Sequence, residues 1–268
     1  MSGQQLLTQL SGRRQKAGVM AASSRLTVGI LGGLGPLASA QLYRIINEHT
    51  AVTRDQDYLD MIIYSRASTP DRTQLILEQR EDELLADLLK ACRVLEDAGA
   101  GLIAIACNTA HVVADALKAQ LSVPFVDMVE LTVASASALL QRHQRVAVLA
   151  TDGTLFYGLY QDLLAQCGLE PYLLTEANQK RLMSIIYDYI KLNLAVPQEL
   201  WSPIETELQQ ARLDLAILGC TELSLLDRDF ALGSFYLDPL QVLARSLIES
   251  AQGIYIETAT AGDGVGNS

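Results

Sequence analysis

Short apolar runs alternate with longer amphipathic segments along most of the chain, and polar breaks separate them. Apolar runs of this length are typical of buried parallel strands, and amphipathic segments at helical spacing are typical of the helices that cover such sheets. The pattern predicts an α/β protein with parallel-type sheets flanked by helices. The predicted strands span residues 27–32, 60–65, 101–106, 124–127, 145–150, 170–174, 213–218 and 235–237. A further helix is predicted over residues 178–194, where apolar positions recur at helical spacing.

Two similar cysteine triplets indicate that the fold consists of two related halves. Cys107 opens a Cys-Asn-Thr triplet and Cys220 opens a Cys-Thr-Glu triplet, and each follows an apolar run that ends in a small residue. We therefore predict two pseudosymmetric lobes with the site in the cleft between them. Lobe 1 is predicted to hold residues 26–125 and 231–252, and lobe 2 is predicted to hold residues 126–230.

The two ends of the chain differ from this pattern. Residues 1–25 contain four basic residues and no acidic residue, and no apolar core of a secretory signal. We predict a disordered leader there, although a targeting segment or a cloning remnant has the same composition. Residues 253–268 end in small and polar residues and are predicted to be a disordered tail.

The thiols of Cys107 and Cys220 are the candidate catalytic groups. A threonine stands close behind each cysteine and is suited to begin a helix, so both thiols are expected at the carboxyl ends of strands. Open α/β sheets bind ligands at that edge. A partly exposed thiol at a helix N-terminus has a lowered pKa, because the helix dipole and the free N–H groups favour the thiolate. Two such thiols predict two-base chemistry.

Composition and charge narrow the possible partners. The chain has 268 residues, 50% of them apolar, which is enough for one large core or two modest ones. Its net charge of −11 argues against nucleic acid and anionic membranes as partners. The four cysteines have no Cys-x-x-Cys spacing and the three histidines are scattered, so neither a disulfide framework nor a metal site is expected. A cytoplasmic location fits this cysteine usage best.

The glycine-rich loop after the first predicted strand is expected to contact a ligand closely. Gly33, Leu34, Gly35 and Pro36 close this strand and open a helix. The loop also matches the dinucleotide-binding fingerprint formally, and Arg66 ends the second strand, where an arginine that binds NADP would stand. A tight turn without any ligand is the third interpretation.

Two cations and two residues beside the thiols complete the set of candidates. Arg72 lies in a polar loop beyond the second strand and Lys180 lies at a probable helix start, and both are candidates to bind a carboxylate. Each is equally readable as a solvated surface charge. His111 either packs in the interior or adjusts the reactivity of Cys107 without contacting the substrate. Glu222 either tunes Cys220 or stabilises a helix N-terminus.

Six segments together resemble the aspartate/glutamate racemase superfamily, specifically its aspartate racemase branch. The resemblance spans residues 26 to about 250 and is most specific in the two cysteine triplets. The segments are residues 32–38, 54–56, 70–73, 107–111, 219–222 and 238–239. Glutamate racemases typically carry Asp-Ser-Gly after the first strand and His after the second Cys-Thr. The Gly-Gly-Leu-Gly-Pro loop and the glutamate found here favour aspartate. Two intact triplets favour racemisation over the decarboxylases and maleate isomerases of the superfamily.

The resemblance implies a role for each of these residues. Cys107 and Cys220 become the acid/base pair, Arg72 and Lys180 bind the substrate carboxylates, and the glycine loop contacts the substrate. The ligand-orienting residues are Asn108, Thr109 and Thr221. The implied enzyme needs no cofactor and is a homodimer, and its substrate is a small dicarboxylic amino acid.

The predicted function is therefore racemisation of L-aspartate to D-aspartate without pyridoxal phosphate. Arg66 and Leu34 depart from the pattern of many relatives, so a broad-specificity aspartate/glutamate racemase is an alternative. A non-catalytic amino-acid sensor and an NADP-linked oxidoreductase are alternatives from other classes. Neither of these two accounts for both thiols.

Overall fold

The eight apolar runs form eight strands, and every strand pair is parallel. The structure, a computed structural model, describes residues 25–257. The strands are β1 (Val28–Gly32), β2 (Met61–Ser65), β3 (Leu102–Ile105), β4 (Phe125–Val126), β5 (Arg145–Val148), β6 (Glu170–Tyr172), β7 (Leu215–Ile217) and β8 (Tyr236–Leu237). Each strand lies inside its predicted range, because runs such as Val-Gly-Ile-Leu-Gly in β1 are buried along their whole length.

Ten α-helices connect the strands within residues 25–257. They are α1 (Pro36–Glu48), α2 (Arg72–Leu77), α3 (Glu81–Asp97), α4 (Ala114–Gln120), α5 (Met128–Leu139), α6 (Asp152–Tyr157), α7 (Gln161–Gln166), α8 (Glu176–Ser184), α9 (Gln198–Gln210) and α10 (Pro239–Ser250). Short 3₁₀ segments follow both cysteines, at Thr109–Val113 and Thr221–Arg228. Helix α8 continues as a π-helical turn, Ile185–Tyr189, and a 3₁₀ turn, Ile190–Leu192.

The two sheets have the same topology, which confirms the prediction of two α/β lobes. The strand order is β2-β1-β3-β4 in the first sheet and β6-β5-β7-β8 in the second. In each sheet the chain moves outward in one direction from the first strand and then returns to the other side of it. Ligands bind at the carboxyl ends of parallel strands beside such a reversal. The loops after β1 and β3, and those after β5 and β7, are therefore the expected walls of a site.

The C-terminal helix belongs to the core of the first lobe. Leu240, Leu243 and Leu247 on α10 pack in the same buried cluster as Leu42 and Ile46 on α1. The predicted lobe boundary differs from the structure at β8. Residues 231–252 were assigned to lobe 1, whereas β8 pairs with β7 in the second sheet. The sequence contains a strand there but no sign of which sheet it joins, because strand partners are set by tertiary packing.

Parts of the two predicted disordered ends are ordered. The Arg25 guanidinium donates hydrogen bonds to the carbonyl oxygens of Gln56, Asp57 and Tyr58 at 2.9–3.2 Å. Near the other end, Tyr255 pairs with Thr50 in an antiparallel bridge. Disorder is therefore the wrong prediction for residues 25 and 253–257, while residues 1–24 and 258–268 lie outside the described residues. None of the helices within residues 25–257 has the length and apolarity that a membrane crossing requires.

The N-cap of α10 gives the fold a pH dependence. Asp238 Oδ1 accepts hydrogen bonds from Leu240 N at 2.8 Å and from Ser224 Oγ at 2.6 Å. Burial raises the pKa of Asp238 to about 6 against these two bonds. Because the folded state holds this proton longer than the unfolded state, the free energy of unfolding falls as the pH rises from about 4 to 6.

Replacing Asp238 with asparagine is expected to stabilise the protein by about 1–3 kcal/mol at pH 7 and to flatten the pH dependence between pH 4 and 6. Asparagine is also a good N-cap, so the helix start is kept. Urea unfolding measured across this pH range checks the result. The matched control is Asp127→Asn at the start of α5. Burial raises the pKa of Asp127, but His111 and Lys118 lower it below its ordinary value. The control is expected to lose stability at pH 7, and equal effects of both changes contradict the prediction.

Candidate active site

Cys107 and Cys220 stand in adjoining loops at the boundary between the lobes. Cys107 follows β3 and Cys220 follows β7, so each thiol stands at the carboxyl end of a strand beside the reversal of its sheet. Both are only 6% exposed. Thr221 and Ala106, the direct chain neighbours of the two cysteines, are in hydrogen-bond contact, so the two thiols stand in adjoining loops. The structure thus brings together two residues that are 113 positions apart in the sequence.

The threonine behind each cysteine contacts the opposite lobe. Thr109 Oγ1 lies 2.8 Å from Thr154 Oγ1 and 3.1 Å from Thr151 Oγ1, both at the start of α6. Thr221 Oγ1 donates to the carbonyl oxygen of Ala106 at 3.4 Å. The contacts of Thr109 hold the Cys107 loop against the start of α6, and the contact of Thr221 holds the Cys220 loop against the Cys107 loop. Both hydroxyl groups have protein partners in this state, so each would have to exchange a partner to orient a ligand.

Glu222 connects Cys220 with a cation. The thiol of Cys220 donates to Glu222 Oε2 at 3.0 Å, and Lys191 Nζ donates to Glu222 Oε1 at 2.5 Å. Burial raises the pKa of Glu222, but the charge and hydrogen bond of Lys191 outweigh burial and leave it lowered. Burial likewise opposes the charge on Lys191, and Glu222 and Cys220 leave the pKa of Lys191 raised. The carboxylate and the ammonium group are therefore both charged in this buried position.

The same neighbours keep the thiol of Cys220 protonated. Burial raises the pKa of Cys220 well above its ordinary value, the Glu222 charge raises it further, and the Lys191 charge opposes both effects. The expectation of a lowered pKa at the helix start is therefore wrong for Cys220. The carboxylate two residues along the chain and the loss of solvent outweigh the helix dipole. At neutral pH this thiol keeps its proton and donates a hydrogen bond to Glu222.

Arg72 supplies the cation on the side of Cys107. It begins α2, and its guanidinium donates to the carbonyl oxygens of Leu34 and of Pro70, the latter at 3.1 Å. Burial opposes its charge, but Cys107, Asp71 and Glu222 outweigh burial and raise the pKa of Arg72. Its Nε atom is buried and has no hydrogen-bond partner. An unpartnered donor of this kind is suited to an oxygen acceptor from a ligand.

Asn108 offers a second unpartnered donor next to Cys107. The residue is 1% exposed, and its Nδ2 atom has no hydrogen-bond partner. Its Oδ1 atom accepts from the hydroxyl group of Tyr160 at 2.5 Å. The site therefore contains two thiols, two cations, one carboxylate and two donors that lack an acceptor. Such a site is able to bind a carboxylate and to move a proton.

Comparison with known proteins identifies the family. The model of the Asp/Glu/hydantoin racemase family matches residues 31–247. The chain belongs to this family. It is therefore an isomerase of the racemase type, from a family that works without pyridoxal phosphate. The resemblance stated from the cysteine triplets is confirmed at the level of the family.

Individual relatives agree with this assignment. The broad-specificity amino-acid racemase RacX of Bacillus subtilis is 28% identical over 203 residues, which cover 74% of this chain and 86% of the relative. The solved structure of an aspartate racemase from Picrophilus torridus has a TM-score of 0.73 and 26% identity, over 86% of this chain and 96% of that one. An aspartate racemase homologue from Pyrococcus horikoshii has a TM-score of 0.65 and 27% identity, over 84% and 99%.

The glycine loop of this racemase acts through its backbone. Gly33 has a φ of +84° and lies against the backbone of Arg66, where a side chain would overlap it. A Cβ at Gly35 would overlap Oε1 of Glu222, so glycine leaves room for this carboxylate in its present position. The side chain of Leu34 is buried in the core of the first lobe. Pro36 is exposed at the start of α1. The structure does not place the side chains of Leu34 and Pro36 as ligand contacts.

Lys180 does not join the site. Its side chain is 74% exposed, and its ammonium group pairs with Glu176 one turn earlier on α8. A different lysine, Lys191, lies beside Cys220, in the site to which the prediction assigned Lys180. The π-helical turn and the 3₁₀ turn after α8 rotate the chain so that Lys191 points toward Cys220. Lys191 is a charged residue between the apolar residues Ile190 and Leu192. This was the sequence signal for it, and the helical spacing of the segment did not reveal it.

The turn that carries Lys191 also connects the lobes. Tyr187 OH donates to Asp71 Oδ2 at 3.0 Å, next to Arg72. The ammonium group of Lys191 lies 5.3 Å from the centre of the Tyr187 ring, within range of a cation–π interaction. Tyr187 thus links the segments that carry the two cations of the site, and the sequence contained no sign of this.

His111 and Arg66 have partners away from the sulfur atoms. His111 Nδ1 lies 2.8 Å from the carbonyl oxygen of Cys107, and its Nε2 accepts from Met128 N at 3.2 Å. The ring therefore holds the loop backbone and does not contact the thiol. Arg66 makes a two-pronged ion pair with Asp87 on α3 at 2.5 and 2.6 Å. Among residues 25–257 there is no cluster of three or more side chains able to hold a metal ion.

Proposed function

We propose that this racemase interconverts L-aspartate and D-aspartate by two-base proton transfer, with Cys107 and Cys220 on opposite faces of the α-carbon. The observation that carries the proposal is the pair of buried thiols in adjoining loops, one from each lobe. The structural similarity to an aspartate racemase supports this choice of substrate. No cofactor takes part in the proposed reaction.

The neighbours of the two thiols support different resting states for them. Cys220 carries its proton and donates it to Glu222. Cys107 interacts with the Arg72 guanidinium and is the first base in the proposal. Two adjacent thiolates would repel each other, so one thiolate and one thiol is the favoured pair. The enzyme is then ready to remove a proton on one face and to return one on the other.

Each proposed turnover is a balanced proton exchange. The Cys107 thiolate takes the α-proton as the Cα–H bond breaks, and the electron pair passes into the α-carboxylate. Cys220 then gives its proton to the opposite face of the α-carbon and becomes the thiolate. General acid/base catalysis contributes about 10² to 10⁴-fold. The remaining acceleration has to come from stabilising the carbanion, for which Arg72 and the backbone N–H groups behind the cysteines are placed.

The charges of the site match a dicarboxylic amino acid. Arg72 and Lys191 supply two cations for two carboxylates, and Asn108 Nδ2 supplies a further donor. Glu222 is the one carboxylate near the thiols that is able to accept from the substrate ammonium group when Lys191 turns to the substrate. A substrate with a neutral side chain would engage only one of these two cations.

Broad specificity is the second candidate function, because RacX of Bacillus subtilis is named for it. Under this alternative, glutamate is turned over at a rate within about tenfold of aspartate, and equal assays of both substrates decide between them. Arg66 offers no help to a longer substrate, and none to NADP, because Asp87 occupies its guanidinium. The homodimer and the cytoplasmic location stay predictions.

Incubation with L-aspartate in deuterated water tests the proposed function. Circular dichroism is expected to decay to zero without additives, and the D-product is expected to carry deuterium at the α-carbon. Racemisation without deuterium incorporation contradicts the two-base scheme. Binding of aspartate without any change in optical activity favours the sensor.

A matched pair of lysine variants tests the assignment of the second cation. Lys191→Met is expected to raise the KM for aspartate about 100-fold, because it removes a buried charge that the substrate carboxylate needs. Lys180→Met removes the same charge from an exposed ion pair with Glu176 and is expected to change the KM less than twofold. Initial rates at varied aspartate concentration measure both. The reverse order of effects would restore the role predicted for Lys180.

A further inference from the structure

Tyr160 lies between the two cysteine loops. It stands directly before α7 in the second lobe, and its side chain is completely buried. Its hydroxyl group reaches across to Asn108 in the first lobe at 2.5 Å. A Cβ built on Gly219, the residue before Cys220, would lie 3.4 Å from Cε2 of the Tyr160 ring. One side chain therefore contacts the loop of each thiol.

The hydroxyl group of Tyr160 determines which way the Asn108 amide points. An amide has an oxygen end and an NH₂ end, and the two orientations differ by a half turn. Because Tyr160 donates to Oδ1, the NH₂ group faces away from Tyr160, and in that direction it has no partner. A buried donor without an acceptor costs free energy, so this orientation persists only because Tyr160 stabilises the other end.

We propose that Tyr160 is a positioning residue that holds the Asn108 amide with its NH₂ group toward a carboxylate oxygen of the substrate. The inference rests on the proposed function for the identity of that carboxylate. Without the hydroxyl group, Oδ1 loses its donor and the amide is free to turn. Its oxygen then faces the substrate carboxylate, and the two acceptors repel each other.

The environment of Tyr160 suits a permanent donor. Burial raises the pKa of the phenol, and the nearby carboxylates of Asp127 and Asp238 raise it further, against a hydrogen bond from Thr132. The hydroxyl group therefore keeps its proton at neutral pH. The orientation of Asn108 does not change around that pH.

A double-mutant cycle tests the inference. Tyr160→Phe is expected to weaken aspartate binding about tenfold, with the loss appearing in KM more than in kcat. Asn108→Ala is expected to cost at least as much. In the Asn108→Ala background the additional change Tyr160→Phe is expected to cost less than twofold, because Tyr160 acts through Asn108. Tyr157→Phe, on the exposed end of α6, is the control that leaves the kinetics unchanged.

The inference is overturned if Tyr160→Phe binds aspartate as well as the unchanged protein does. It is also overturned if Tyr160→Phe weakens binding by the same factor with and without Asn108→Ala. Asn108→Asp serves if Tyr160→Phe fails to fold. It keeps an acceptor for Tyr160 and presents an oxygen where the NH₂ group stood, so it is expected to bind aspartate more weakly than Asn108→Ala. Calorimetric Kd values separate this test from the proposed function. Weakened binding in a protein that does not racemise supports the role of Tyr160 and overturns only the reaction.

Discussion

Replacing either Cys107 or Cys220 with alanine is expected to lower the rate of aspartate racemisation at least about a thousandfold, because each thiol serves a different face of the α-carbon. The two thiols come from opposite lobes, so in the proposed reaction each one serves its own face. The time course of circular dichroism with L-aspartate and with D-aspartate measures the loss. Racemisation at near the original rate by either variant refutes the role of the replaced cysteine.

The remaining thiol distinguishes a lost base from a damaged site. Each single variant is expected to exchange the α-proton of one enantiomer with deuterated water while leaving its configuration unchanged, and the two variants are expected to prefer opposite enantiomers. Cys167→Ala is the matched control, because Cys167 is only partly buried and packs in the second lobe. Exchange of the same enantiomer by both variants contradicts the assignment of opposite faces.

Replacing Arg72 with lysine is expected to lower kcat/KM for aspartate about 100-fold even though the positive charge is kept. The guanidinium uses two of its nitrogens to bind the carbonyl oxygens of Leu34 and Pro70, and Nε is left for a ligand. The single ammonium group of lysine is unable to hold both carbonyls and a substrate carboxylate at once. Initial rates measure the effect, and a Tm within a few degrees of the original shows that the fold is kept.

Arg80→Lys is the control for the loss of the guanidinium shape. Arg80 makes ion pairs with Glu78 and Glu83 at the surface, so its replacement is expected to leave kcat/KM within twofold. An Arg72→Lys variant that is as active as this control would mean that Arg72 acts only as a distant charge.

The strands, and the place of each cysteine directly behind a strand, were predictable because their signals are local. A buried parallel strand needs a continuous apolar run, and each cysteine follows such a run directly. An apolar run marks a strand without information from the rest of the chain, and all eight strands lie within their predicted ranges. The order of the two cysteine triplets was specific enough to indicate the family.

The second cation was not predictable in the same way. A regular helix over residues 178–194 gives no sign that Lys191 approaches the site, and the position at a helix start favours Lys180. The π-helical turn of Ile185–Tyr189 changes the direction of every side chain that follows it. Such a turn is stabilised by contacts outside the helix, here including that of Tyr187 with Asp71, and so leaves no local pattern.

The sequence by itself determined the strands, the two-lobed α/β class, a cysteine behind a strand in each lobe and the family, because apolar periodicity and short motifs act over a few residues. Only the tertiary structure decided that Lys191 pairs with Glu222 beside Cys220 and that Tyr160 donates to Asn108. Each of these depends on atoms from segments more than 25 positions apart coming within about 3 Å. Packing of the two lobes sets those distances, and no local pattern of residues contains them.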